Sequence, residues 1–279
     1  MKDSRVGSEE DRVAATAVAE RVDSFMLMQV TTSFIARLRS NDEAAWFELW
    51  EVFGPVTRAQ LTKWGRGRIG VETVRDLSQE TLAALSTSID RYDPARGARF
   101  STWMLAIAKH VLGDEIDRRM ALKRGAGRKA SELDEDWMAA CDGRSVDRAY
   151  EEGVFRSKVE AAIRLVEKEA DFTDFSIYRM RVFDGQNGKK VADALGISEP
   201  TVSRRLAKVR KLLRVKLAEV IATYSFTEEE REEAARNGLD LNPNADADKA
   251  SDLLFDEAVA EIYHTQLDLR RRDEADLID

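Results

Sequence analysis

A chain of 279 residues with 43% hydrophobic and 34% charged residues has room for two small domains and flanking tails. Its single cysteine, Cys141, excludes an internal disulfide, and with only His110 and His264 beside it a Cys/His zinc site lacks ligands. Histidine-assisted nucleophilic catalysis is equally poorly supplied and no Gly-rich Lys-Ser/Thr phosphate loop occurs, so the expectation is a protein that is not an enzyme and uses no metal or cofactor.

The formal charge of -8 is unevenly placed. Residues 225–279 hold seventeen Asp/Glu against six Lys/Arg, a net of -11, which leaves +3 for residues 1–224. Between Lys189 and Lys216 nine basic residues face two acidic ones, a net of +7, the kind of local field that attracts polyanions.

Few prolines and few β-branched alternating stretches predict an all-α chain. Residues 1–32 read as a polar extension with a weak helical stripe of Val13, Ala17, Val18, Val22 and Phe25. They contain no apolar signal core, and no later stretch is long enough to span a membrane, so a cytoplasmic protein without a membrane partner is expected. From 33 to 119 Phe34, Leu38, Trp46, Phe47, Leu49, Trp50, Phe53 and Leu61 recur at helical spacing, with "SND" supplying a helix cap. Two further helices flank the breaker "DPARGA", with Ser101 available to cap the second. Trp103, Ile107 and Val111 form a helical stripe, which favours core packing for Trp103; Phe100 stands open between core packing and base stacking.

Residues 120–152, with three glycines and a switch from basic to acidic, read as a linker. A second helical domain is expected over 153–224, containing "NGKKVADALGISEPTVSRRLAKVRKLLR". Here Ala192 permits a close crossing, Gly196 suits a left-handed helix end, Ser198 can cap the next helix and Pro200 falls in its first turn. Val202, Leu206, Val209 and Leu213 form its buried stripe; Arg204, Lys208 and Lys211 lie on an adjacent face, with Thr201, Ser203 and Arg205 near the N-terminal end. The bland reading is a solvated basic face, but cap, glycine turn, alanine contact and basic face together favour a helix-turn-helix that reads the DNA major groove.

The block "VRDLSQETLAALSTSIDRYDPARGARFSTWMLAIAKHVLGDEIDRR", followed after a linker by "FSIYRMRVFDGQNGKKVADALGISEPTVSRRLAKVRKLLR", resembles the two domains of bacterial RNA polymerase sigma factors. The absence of an intervening helical domain makes it similar to the extracytoplasmic-function (ECF) group, over about residues 33–222. The resemblance implies an initiation factor that directs core RNA polymerase to promoters of a stress- or signal-responsive regulon. Asp76, Leu77, Gln79 and Glu80 match the segment that docks on the clamp coiled coil of the largest catalytic subunit, and the flap of the second subunit is the other implied contact. Carboxylates one helical turn apart can meet arginines on a partner helix. Arg96, Arg99, Phe100, Lys109, His110, Arg118 and Arg119 fall in the segment for the -10 promoter element, and His110 replaces the asparagine usual in the group. Ser198, Thr201, Ser203, Arg204, Arg205 and Lys208 are the contacts implied for the -35 element.

Before Asp76 the chain has "ETVRD", with Thr73 and Arg75 where the group is usually acidic. Phosphorylation of Thr73 would restore about two charges there, so the candidate controllers are a Ser/Thr kinase, an anti-sigma protein, and the acidic extension 225–279. That extension carries a threonine-capped helix ending at Asn-Gly and a second helix with Leu254, Ala258 and Ile262 on one side. It either serves only solubility or folds against the basic helix 201–216. Asp240, Asn242, Asn244 and Asp246 have calcium-loop spacing, but Ala245 and Ser251 stand where glycine and glutamate are required, so no calcium is expected. A stand-alone helix-turn-helix regulator is the nearest rival; it leaves the "DLSQET" and "RYDPARGARFSTW" block unexplained.

Overall fold

In the computed structural model, residues 31–93, 98–123, 148–242 and 249–275 are described, and among them there is no strand. A helix over 31–39 (α1) turns at Asn41, where φ is 57°, into α2 (Glu43–Gly65). The cap expected at "SND" is Asp42, whose carboxylate accepts from the Ala44 and Ala45 amides at 2.9 and 3.3 Å. α3 (Val71–Ser88) turns Val74, Leu77, Thr81 and Leu85 inward, and α4 (Phe100–Lys123) follows a single 3₁₀ turn, Ile89–Arg91. Ser101 does not cap α4. The helix already begins at Phe100, and the fully buried Ser101 hydroxyl donates to Glu151 at 2.9 Å.

Helical structure extends into the stretch expected as linker from both sides, because α4 runs to Lys123 and α5 starts at Arg148 (Arg148–Glu169). The remainder of that stretch, 124–147, lies outside the described residues. α5 rests on α2 at Gly153, where a Cβ would stand 3.0 Å from Val56 Cγ1, so a side chain here would push the helices apart. One apolar cluster consequently runs from Phe34, Leu49 and Phe53 through Val159 and Ala162 to Leu213 and Leu217, joining the two helical units.

α6 (Phe172–Tyr178) winds into a π turn, Arg179–Phe183, and precedes α7 (Gly188–Leu195) and α8 (Glu199–Tyr224). Gly196 ends α7 with φ 66°, the left-handed conformation that glycine tolerates best, and Pro200 lies in the first turn of α8. Val202, Val209 and Leu213 are buried as the stripe predicts, and Leu206 is half-buried. Ser198 precedes α8 but makes no side-chain cap bond; its hydroxyl lies 2.9 Å from that of Thr201.

The acidic extension is integrated into this body. α9 (Glu228–Arg236) has a complete Thr227/Glu230 capping box and ends at Asn237–Gly238. α10 (Lys249–Ala275) buries Phe255, Val259 and Ile262 in the shared cluster. This differs from the expected stripe of Leu254, Ala258 and Ile262: Leu254 is exposed, because the bulkier Phe255 is the side chain that fills the core. Among the described residues no helix is long and apolar enough to cross a membrane.

Candidate nucleic-acid and polymerase interface

The helical period of α3 divides its residues cleanly. Leu77 points into the core between α2 and α4, while Asp76, Gln79 and Glu80 are exposed. The two carboxylates therefore share an outward face one turn apart, and Leu77, expected as a polymerase contact, instead anchors that face from below. Thr73, half-buried near the start of α3, accepts a hydrogen bond from Arg119 Nη2 at 2.6 Å. Arg119 also donates from Nε to Glu115 at 2.5 Å, and Arg118 Nε donates to the same carboxylate at 2.7 Å. Burial opposes ionisation of Glu115, but these two bonds outweigh it and hold its carboxyl below the usual range.

At the other end of α4, Arg99 is the cation of the breaker loop that lies among the described residues; Arg96 falls in 94–97, outside them. Arg99 Nη1 donates to Glu151 at 3.0 Å and Nη2 to Glu229 at 3.2 Å. Burial works against its charge, yet Glu151 and the other carboxylates around it win, and its ionisation is shifted upward. Phe100 is 0% exposed, packed against Phe53, Tyr92, Trp103 and Phe226, so in this arrangement it is a core residue and offers no face for a base. Trp103 is buried as its stripe predicts. Lys109 is exposed, whereas His110 is half-buried with Nε2 3.4 Å from Asp114 Oδ2. Arg118 and Arg119 lie about 28 Å along the helix from Arg99, from the rise of 1.5 Å per residue. These cations cannot converge on one group, and the helical period spreads them around α4, with Lys109 on the side opposite Arg118.

Residues 60–121 match the family model of sigma-70 region 2. The matched segment runs from the end of α2 through most of α4 and contains both the Asp76–Glu80 face and the cations Arg99, Lys109, Arg118 and Arg119. The match supports an RNA polymerase sigma factor acting in promoter-directed transcription. Region 2 implies core RNA polymerase and promoter DNA as binding partners. No curated protein matches the chain.

Outside region 2, the N-terminal end of α8 brings together the second set of expected residues. Ser203 and Arg204 are exposed, and the Lys208 side chain is 71% exposed. Sequence reasoning missed Asp174 on α6. Its buried carboxylate accepts from Arg205 Nη1 at 3.1 Å and Lys208 Nζ at 2.8 Å, and this bond to Asp174 is the main influence raising the Lys208 ammonium. Asp174 thereby sets the direction of two cations on α8, while Arg204 hydrogen-bonds within its own helix, to Pro200 O and Thr201 Oγ1.

The extension grips α8 further along. Asp256 accepts from Arg210 Nε at 3.0 Å and Nη2 at 2.6 Å, and Asp252 accepts from Nη1 at 2.6 Å. Arg214 lies 3.1 Å from Asp252 and stacks over the Phe255 ring at 4.7 Å. Burial pushes the Tyr178 phenol well up, so it remains a donor to Asp256. The tail does fold against the basic helix, and among the described residues its ion pairs with that helix are at Arg210 and Arg214.

Glu233 on α9 lines a cavity of about 200 Å³ with Glu152, Arg156 and Glu261. Burial is the largest influence on it; with Glu151 and Glu230 nearby it outweighs Lys158 and Arg99, and the carboxyl titrates above its usual range. A carboxyl raised by folding adds stability only below its unfolded value and loses that contribution as pH rises through the folded one. Glu233→Gln is therefore expected to raise the melting temperature at neutral pH, with the gain shrinking to nothing below the ordinary glutamate range. Thermal melts at pH 7.5 and pH 4 check this.

Proposed function

We propose that the chain is a cytoplasmic sigma factor of the ECF type, without enzymatic activity, metal or cofactor, serving a stress- or signal-responsive regulon. Its exposed Asp76, Gln79 and Glu80 dock on the clamp coiled coil of the largest polymerase subunit, and the second helical unit contacts the flap of the other large subunit. Arg99, Lys109, Arg118 and Arg119 are the candidate cations for the backbone of the -10 strand. The pair α7–α8 acts as a helix-turn-helix, placing Thr201, Ser203, Arg204, Arg205 and Lys208 against the -35 duplex. The observation that carries the reading is one chain holding a region 2 match and, after it, a second unit whose basic helix exposes Ser203, Arg204 and Lys208 near its N-terminal end.

Transcription by purified bacterial core RNA polymerase, with and without the chain, on its own upstream DNA and a genomic fragment pool tests this. New defined start sites are expected. Duplex binding in the absence of polymerase, with no new start sites, would favour a stand-alone helix-turn-helix regulator.

Kinase control at Thr73 belongs to the same proposal, with an anti-sigma protein as the alternative controller. The Thr73 hydroxyl already faces the Arg119 guanidinium, and a phosphate there would gain a charge-assisted partner while adding negative charge beside Asp76. Thr73→Asp is expected to tighten binding to core polymerase severalfold in a titration; unchanged affinity removes the kinase.

A further inference from the structure

The turn between α8 and α9 is held by a buried ion pair. The Lys158 and Glu230 side chains are 0% and 1% exposed, and Lys158 Nζ donates to Glu230 Oε1 at 3.4 Å and to Ser225 Oγ at 3.2 Å. The second Glu230 oxygen accepts from the Phe226 and Thr227 amides at 2.9 and 3.0 Å. A carboxylate so bonded fixes the turn in one conformation. That conformation drives Phe226 between the aromatic rings of region 2. It stacks on Phe100 at 4.8 Å with an interplanar angle of 24° and meets Tyr92 edge-on at 5.8 Å. Glu229, on the outer side of the same turn, reaches back to Arg99.

An aromatic ring and an adjacent anion are what a nucleotide offers a binding surface, as base and phosphate. Arg99 has both amino groups engaged by carboxylates, so a phosphate must displace Glu229 before it can be bound there. The -35-type face carries no such cover from the turn: residues 201–208 lie at the far end of α8 from Ser225, more than 20 residues' rise from 201 at about 1.5 Å each.

We propose that residues 225–230 are an internal plug that occupies the single-strand site of region 2, so that the closed chain binds duplex freely and single-stranded promoter DNA only after the turn withdraws. The apparent affinity for single strand is then reduced by the fraction of chains that are open. This rests on the sigma factor reading, because it takes region 2 to bind a promoter strand.

The test uses the full chain and a short fluorescein-labelled single strand of mixed sequence, with a matching duplex as control. Glu229→Gln is expected to tighten single-strand binding about two- to fivefold, the range of an exposed ion pair. Phe226→Leu, which keeps apolar volume but loses the stacked ring, is expected to give about three- to tenfold, with its melting curve confirming that it folds. Duplex affinity should be unchanged in both, which separates the plug from a general loss of negative charge. Exchange of the Phe226 and Thr227 amides should speed up when single strand is added to the wild-type chain. If neither variant tightens single-strand binding, or the two amides stay protected while strand is bound, the plug is overturned. Arg99→Ala separates the two levels: weakened single-strand binding without any gain in the other variants sinks the plug alone, and no effect of Arg99→Ala sinks the promoter-strand reading of this loop as well.

Discussion

A chain ended after Tyr224 is expected to lose its cooperative fold and not to gain DNA affinity. The cut removes Glu230 from Lys158, and Asp252 and Asp256 from Arg210 and Arg214, so three cations lose their partners and the surface beneath them is opened to water. Phe226, Leu239, Phe255 and Val259 leave the shared core with it, each worth about 1.5–3 kcal/mol of burial. Losses of this size are large beside the roughly 5–15 kcal/mol of a whole domain. Thermal melting and near-ultraviolet circular dichroism of the truncated chain check the point: a sharp transition near that of the full chain would refute it. A paired control isolates the electrostatic part. Glu230→Leu alone should cost about 3–5 kcal/mol, whereas Lys158→Met with Glu230→Leu should recover only the part due to the stranded ammonium, because the Phe226 and Thr227 amides still lose their acceptor.

Features written in local spacing were legible in the sequence. The Asp42 cap, the Gly196 turn, the Val202–Leu213 stripe and the Thr227 cap each depend on residues within a turn or two of one another. The all-α class follows from the same periodicity, as does the outward face of Asp76, Gln79 and Glu80. What escaped depends on contacts between residues far apart in the chain. Asp174 is one acid in an unremarkable helix until α8 brings Arg205 and Lys208 to it. Lys158 and Glu230 are separated by seventy-two residues, and neither gives any local sign of being buried. Phe100 stood open between core and stacking roles because the ring that covers it, Phe226, belongs to an extension whose packing no local pattern reveals. The shift of the buried face of α10 from Leu254 to Phe255 has the same origin: two overlapping stripes were available, and the shape of the receiving core chose between them.

Replacing both outward acids of α3, Asp76→Arg with Glu80→Arg, is expected to abolish promoter-directed transcription while leaving the fold and duplex binding intact. Both side chains are exposed, so folding loses little. At an interface with arginines on a partner helix, the change replaces two attractions by two like-charge contacts, and a charged interface pair is worth about 2–5 kcal/mol, at least about thirtyfold in affinity. Titration of core RNA polymerase, with duplex binding as the control, reads the effect directly; affinity within a few-fold of wild type would remove α3 as the docking face. Leu77→Ala supplies the contrast within the same motif. It leaves the outward charges in place and opens a cavity beneath them, a core loss of about 2–5 kcal/mol that appears first in the melting temperature. If Leu77→Ala weakens polymerase binding only in proportion to unfolding, whereas the charge reversal weakens it in a fully folded chain, then α3 recognises polymerase through its carboxylates and uses its leucine only to hold them outward.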